Sequence, residues 1–147
     1  MNKEQTLEAI NRAKLAHMTQ MEKIKAAIDG EKVDNPTAVV KTACDFGKWI
    51  YSEEPHLKKI LGSLFYDNLE MTHGKWHSEY VSVFNILFKD EKRGFFSKLI
   101  GSSSVDEMEM DKAKLYYSEL EATTTELLRV IASCERRVNA MNELKFT

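Results

Sequence analysis

The chain has 147 residues, of which 43% are hydrophobic and 30% charged, and its formal net charge is -2. These values fit a single globular domain over residues 1–147, and they provide no basic excess for binding nucleic acid. Cys44 and Cys134 are too few for a disulfide framework. No apolar run is long enough for a membrane span or a signal peptide, so we expect a cytoplasmic protein without membrane association.

The first predicted helix covers residues 4 to 28, where apolar residues and one histidine recur at helical spacing. The face they form comprises Ile10, His17, Met21, Ile24 and Ile28. Asp29-Gly30 is expected to end this helix, because glycine readily adopts the left-handed conformation at a helix C-terminus. A loop over residues 31 to 36 follows.

Two more helices are predicted between residues 37 and 89. The second covers residues 37 to 52, with Val40, Cys44, Gly47 and Tyr51 on one stripe. Pro55 begins the third, since a proline in the first turn of a helix removes an N–H that has no helical partner there. Its inward seam is expected to comprise Tyr66, Glu70, His73, His77, Tyr80, Phe84 and Leu87.

The fourth predicted helix begins at Ser104, where Ser104-Val105-Asp106-Glu107 resembles a capping box, and it extends almost to Thr147. Its core seam comprises Ala113, Leu120, Leu127, Cys134 and Met141. Cys134 is expected to be a buried filler. Four helices with apolar stripes and mostly short connections predict an all-α protein, an antiparallel four-helix bundle with a long C-terminal helix.

Residues 90 to 103 interrupt this pattern and predict an enlarged connection between the third and fourth helices. Four large apolar side chains fall within it: Phe95, Phe96, Leu99 and Ile100. They are expected either to fold back over the end of the bundle or to form a docking or dimer surface.

Three histidines are expected to point into the bundle. His73 and His77 are four residues apart, so both rings leave the same face of their helix, and His17 lies among the apolar residues of the first helix. A core histidine bonded to a backbone carbonyl is the ordinary interpretation of one such residue. Three buried rings, however, bring nitrogens that each need a partner, and one shared metal ion would satisfy them together.

Cys44 would complete such a site. One thiolate and three imidazoles from three helices form a closed tetrahedral set that suits Zn²⁺. Gly47, one turn later, is expected to allow the close approach of a neighbouring helix, and Trp49 to pack over the site. His56, after Pro55, is expected to be exposed and outside the site.

These motifs resemble a known family. His17, the stretch Cys44-Asp45-Phe46-Gly47-Lys48-Trp49-Ile50 and the pair His73-x-x-x-His77 are similar, in this order, to the hallmark of the bacterial chemoreceptor zinc-binding (CZB) domain. The resemblance implies a three-histidine, one-cysteine zinc site at His17, Cys44, His73 and His77. It also implies a regulatory module that forms homodimers, works with a chemoreceptor or a diguanylate cyclase, and responds to zinc or to oxidation of its cysteine.

The chain departs from this family in two respects. Glu53-Glu54-Pro55 replaces the glycine that the family often has after the tryptophan's helix, and the connection over residues 90 to 103 is enlarged. Within these 147 residues we expect no signalling or cyclase domain, which leaves the regulated process open.

Three alternatives to a zinc sensor remain open at this point. The zinc could be purely structural, or the chain could be a metal-free helical adaptor. A hemerythrin-like di-iron protein is the third, for which Glu70-x-x-His73 supplies one Glu-x-x-His pair without a second copy. An enzyme is not expected, because no phosphate loop or nucleophile motif occurs and a fully ligated zinc has no open position.

Overall fold

The computed structural model describes residues 1–33, 36–88 and 106–146. Within these ranges the chain forms five α-helices and no strand. In chain order the helices are α1 (Lys3–Ile28), α2 (Asp45–Ser52), α3 (Glu54–Leu61), α4 (Ser63–Leu87) and α5 (Glu107–Ala140), and a short 3-10 helix, Glu143–Phe146, follows. The all-α prediction is confirmed.

The helix α1 agrees with its predicted bounds to within one residue. Asn2 and Gln5 begin it with a capping box, in which each side chain accepts a hydrogen bond from the other residue's backbone N–H. Gly30 follows its last turn with φ of 86°, and its N–H donates to the carbonyl of Ala27. The expected glycine end of the helix is therefore confirmed.

The second predicted helix is shorter than the stripe suggested. Residues 37 to 44 are not helical, and α2 begins only at Asp45, with Cys44 as its N-cap. The sulfur of Cys44 accepts the backbone N–H of Gly47, so the cysteine caps the helix instead of lying within it. Val40, placed on the buried stripe from the sequence, is 59% exposed.

The third predicted helix is two helices. Pro55 lies in the first turn of α3, as expected, but α3 ends at Leu61. Gly62 has φ of 90°, in the left-handed region that favours glycine, and this residue turns the chain between α3 and α4. A single helix from Pro55 to residue 89 is therefore wrong.

The long C-terminal helix is confirmed, with different ends. Asp106, whose carboxylate accepts the N–H of Glu109, is the N-cap of α5. Ser104 and the connection over residues 90 to 103 lie outside the described residues, as does Thr147. The helix ends at Ala140, where the chain folds into the 3-10 helix and buries Phe146 beside the ring of His56.

The helices pack as a bundle in which α5 lies against both α1 and α4, while α2 and α3 together take the fourth position. The core is one continuous cluster, in which the largest fully buried side chains are Trp76, Tyr80, Ile24, Ile50, Leu57, Leu61, Leu120, Leu127 and Ile131. Cys134 is 1% exposed, and burial raises the pKa of its thiol to about 11, so its predicted role as a buried filler is confirmed. In the described parts of the chain, no helix combines the length and apolarity that crossing a membrane requires.

Candidate metal centre

His17 enters the centre from the middle of α1. Its ring is 4% exposed, and its Nδ1 lies 2.7 Å from the carbonyl oxygen of Ala13, one turn earlier. Because a carbonyl oxygen can only accept, Nδ1 carries the hydrogen and the neutral ring keeps its lone pair on Nε2. The helix backbone thus fixes both the tautomer and the orientation of this histidine.

His73 and His77 enter from α4. The Nδ1 of His77 donates to the carbonyl oxygen of Val39 at 2.8 Å, which again leaves the lone pair on Nε2. That Nε2 is buried without a hydrogen-bond partner among the described residues. His73 is fully buried, with Nε2 facing the sulfur of Cys44 and Nδ1 without a partner in the parts of the chain that the structure describes. A cation bound here would give Nε2 of His77 the partner that it lacks, and on His73 it would meet Nε2, the nitrogen that faces the sulfur of Cys44.

The three histidines converge, and the cysteine lies beside one of them. One ring nitrogen from each of His17, His73 and His77 lies within 4.8 Å of the other two. The sulfur of Cys44 is 3.3 Å from Nε2 of His73. Buried imidazoles and one thiol, with no carboxylate in the group, form a donor set that fits Zn²⁺. The residues present therefore fit the metal that the motifs imply.

Burial keeps the three rings neutral. Loss of hydration lowers the pKa of His17 to about 4, partly offset by its hydrogen bond to Ala13, and it lowers the pKa of His73 to about 2, helped by the neighbouring His17 and His77. The pKa of His77 is also lowered by burial. Neutral imidazole is the form that binds a metal, so the fold presents these side chains ready to ligate.

Cys44 is held by backbone groups rather than by a charged partner. Burial raises the pKa of its thiol, while the N–H groups of Gly47 and Phe46 act in the opposite direction. The side chain is 6% exposed. Without a cation this cysteine is therefore a protonated thiol at neutral pH.

Aromatic rings enclose the centre, and one of them, Trp76, was not among the residues predicted for it. Trp76 is fully buried, its ring lies 4.8 Å from that of His17, and its Nε1–H donates to Thr124 of α5 at 2.8 Å. Phe46 meets the ring of His73 edge to face at 4.8 Å. The position of Trp76 in the sequence, between His73 and His77, could have predicted that its ring lies at the centre.

Three expectations about neighbouring residues need correction. Trp49 is half-buried and packs on Phe46, so Phe46 is the ring that covers the histidines. Gly47 accommodates the backbone of Lys41, not a neighbouring helix: a Cβ there would overlap the Lys41 carbonyl oxygen. His56 is partly buried rather than exposed, although its ring contacts Phe146, away from the centre.

The sequence predicts Glu70 on the inward seam and offers it as a ligand of a di-iron site. Its carboxylate instead binds Lys41 and Tyr51. Within residues 1–33, 36–88 and 106–146 the one group with metal-holding geometry contains histidines and no carboxylate. The di-iron alternative therefore has no support in the described residues.

The order and spacing of the converging side chains can be compared with known families. Residues 17–83 match the family model of the chemoreceptor zinc-binding domain. No curated protein and no solved structure matches the chain. The family match begins at His17 and includes Cys44, His73 and His77, so the resemblance identified from the motifs is confirmed.

The chemoreceptor zinc-binding domain is a regulatory domain that binds zinc. The matched span contains α2, α3 and most of α4, together with the second half of α1. The long helix α5 lies outside it but packs against α1 and α4, and it contributes Thr124 to the hydrogen bond that fixes Trp76.

Proposed function

We propose that this chain is a zinc-dependent sensory module in which His17, Cys44, His73 and His77 bind one Zn²⁺. The observation that carries the proposal is the convergence of three neutral, buried imidazoles on one point beside a buried thiol. Bound zinc would stabilise the thiolate and give the buried Nε2 of His77 the partner that it lacks. With all four positions filled by protein, no site remains for a substrate, which supports a role other than catalysis.

The four ligands differ in how firmly the fold holds them. His73 and His77 are on one rigid helix, and His17 is on another. Cys44 ends a non-helical segment over residues 36 to 44, which we call the cysteine segment. Gain or loss of the metal therefore acts first on this segment and on α2, which Cys44 caps. We propose that this movement is the signal.

The remaining parts of the proposal concern the cellular setting. A homodimer working with a chemoreceptor or a diguanylate cyclase in the cytoplasm agrees with the family, and residues 1–147 would act as one domain. Oxidation of Cys44 to a sulfenic acid by a peroxide is a second input, since it would weaken the bond to zinc. The 6% exposure of this side chain favours zinc availability as the principal input.

Metal analysis of protein purified without added zinc tests the ligand set. The parent should contain about one equivalent of zinc. Cys44→Ser and His77→Ala should lower the metal affinity by more than about 100-fold, which exceeds the loss typical of residues that only support a ligand. Cys134→Ser is the matched control, since it removes a buried thiol away from the centre. Equal zinc in the parent and in both ligand variants would refute the assignment.

A further inference from the structure

Glu70 joins two elements that lie on either side of Cys44. Its Oε1 accepts a hydrogen bond from the hydroxyl of Tyr51 in α2 at 2.6 Å, and the same oxygen is 2.7 Å from Nζ of Lys41 in the cysteine segment. Both distances are short, as expected when the acceptor is an ionised carboxylate. Glu70 itself belongs to α4, one turn before His73.

Lys41 is tied to the site by its backbone and by its side chain. Its carbonyl oxygen is 3.5 Å from the sulfur of Cys44 and occupies the space that a side chain at position 47 would fill. Its aliphatic stem crosses α4 at Gly74, where a Cβ would lie 3.5 Å away. The ammonium group then reaches Glu70. The side chain therefore runs across the helix that carries both α4 histidines.

Global stability does not explain this arrangement. The side chains of Lys41 and Glu70 are 41% and 28% exposed, and ion pairs with that much solvent contribute little to the free energy of unfolding. The three side chains instead restrict the position of Cys44. One oxygen of Glu70, on α4, holds Lys41, three residues before Cys44, and Tyr51, seven residues after it.

We infer that Glu70 is a positioning residue for the metal-binding thiol, which it holds against α4 through Lys41 and Tyr51. The inference rests on the proposed zinc site and extends it to a carboxylate outside the ligand set. Hydrogen bonds from groups behind the ligands typically change metal affinity 10- to 100-fold, and a group that orients the segment carrying a ligand acts in the same way.

The test compares Glu70→Gln with Lys41→Met and Tyr51→Phe. Lys41→Met keeps the stem over Gly74 and the backbone carbonyl but removes the charge, and Tyr51→Phe removes one hydroxyl. Glu54→Gln is the matched control, because it breaks an equally short ion pair, with Lys58 at 2.7 Å, within α3. Thermal unfolding establishes that each variant is folded.

The first measurement is the rate at which zinc-loaded protein transfers its metal to excess chelator. Glu70→Gln and Lys41→Met should accelerate transfer about 10-fold, Tyr51→Phe less, and Glu54→Gln not at all. The second is alkylation of metal-free protein, with Cys134 as the internal reference. Loss of the positioning contact should raise the rate at Cys44 alone, whereas a merely destabilised fold would raise both rates.

The outcomes separate this inference from the zinc site itself. A parent that binds no zinc would overturn the proposed function, and alkylation would still decide whether Glu70 restrains Cys44. A parent that binds zinc, with Glu70→Gln matching Glu54→Gln in both measurements, would overturn the positioning role alone. Faster alkylation without faster metal transfer would also overturn it, because the restraint would then have no consequence for the metal.

Discussion

The two parts of the centre are built in different ways. The histidine face of α4 presents His73 and His77 from a continuous helix, one turn apart, and both side chains are buried. The cysteine segment has no regular secondary structure up to the turn that precedes α2, and its position depends on side chains from elsewhere. In the proposed zinc site the histidines would therefore form the fixed part, and the thiol would be the ligand able to move.

Hydrogen bonds to several elements hold the cysteine segment in place. At its start, the side chain of Gln20 accepts the N–H of Thr37 and donates to the hydroxyl of Tyr80, which in turn donates to the carbonyl of Thr37. Further along, the carbonyl of Val39 accepts from His77. A proposed ligand, His77, thus also anchors the segment that carries Cys44, the fourth proposed ligand.

Gly47→Ala is expected to have the largest effect, because it should displace the cysteine segment and leave the histidine face of α4 in place. The added methyl group overlaps the carbonyl of Lys41, so the segment must move away from α2, at a cost of about 1–3 kcal/mol. Because Cys44 moves with it, the variant should lose most of its zinc while α4 stays folded. Metal content and thermal unfolding measure both effects.

Gly74→Ala is the control for that substitution. A Cβ at position 74 makes only an ordinary contact with the Lys41 side chain, and alanine stabilises a helix interior by about 0.5–1 kcal/mol relative to glycine. The variant should keep its zinc and gain stability. Equal zinc loss in the two variants would contradict the assignment of the Gly47→Ala effect to overlap with the Lys41 carbonyl.

A smaller and more local change is expected when a chelator removes the metal. Amide hydrogen exchange should then accelerate at least about 10-fold in the cysteine segment and the start of α2, while the middle of α5 keeps its protection. The N–H of Gly47 is the most direct reporter because it donates to the sulfur of Cys44. Uniform acceleration across α4 and α5 would instead support a structural zinc that holds the whole bundle together.

The sequence predicted the helical parts well because their signal is local. The apolar period of α1 and α5 and the four-residue spacing of the α4 histidines require only that a helix forms. These local features were enough to predict the helical bundle and to propose the three histidines as ligands. Gly62 escaped notice because a glycine within an apolar period is tolerated in helices, and only the backbone shows its left-handed conformation.

The cysteine segment was predicted incorrectly for a physical reason. The spacing of Val40, Cys44, Gly47 and Tyr51 matches a helical stripe, but contacts from distant residues override that local preference. Gln20, Tyr80 and Glu70 lie far from the segment in the sequence, so no local pattern could reveal that they hold it. Trp76 was missed because only one narrow row of α4 was considered inward, whereas the buried face is wider.

X-ray absorption at the zinc edge of the zinc-loaded protein tests the account most directly. We predict a four-coordinate ion with one sulfur at about 2.3 Å and three nitrogens at about 2.0–2.1 Å, and loss of the sulfur in whatever metal-bound fraction of Cys44→Ser remains. A spectrum without sulfur in the parent, or with two sulfurs, would contradict the assignment of the single thiol of Cys44 and the three histidines as the ligand set.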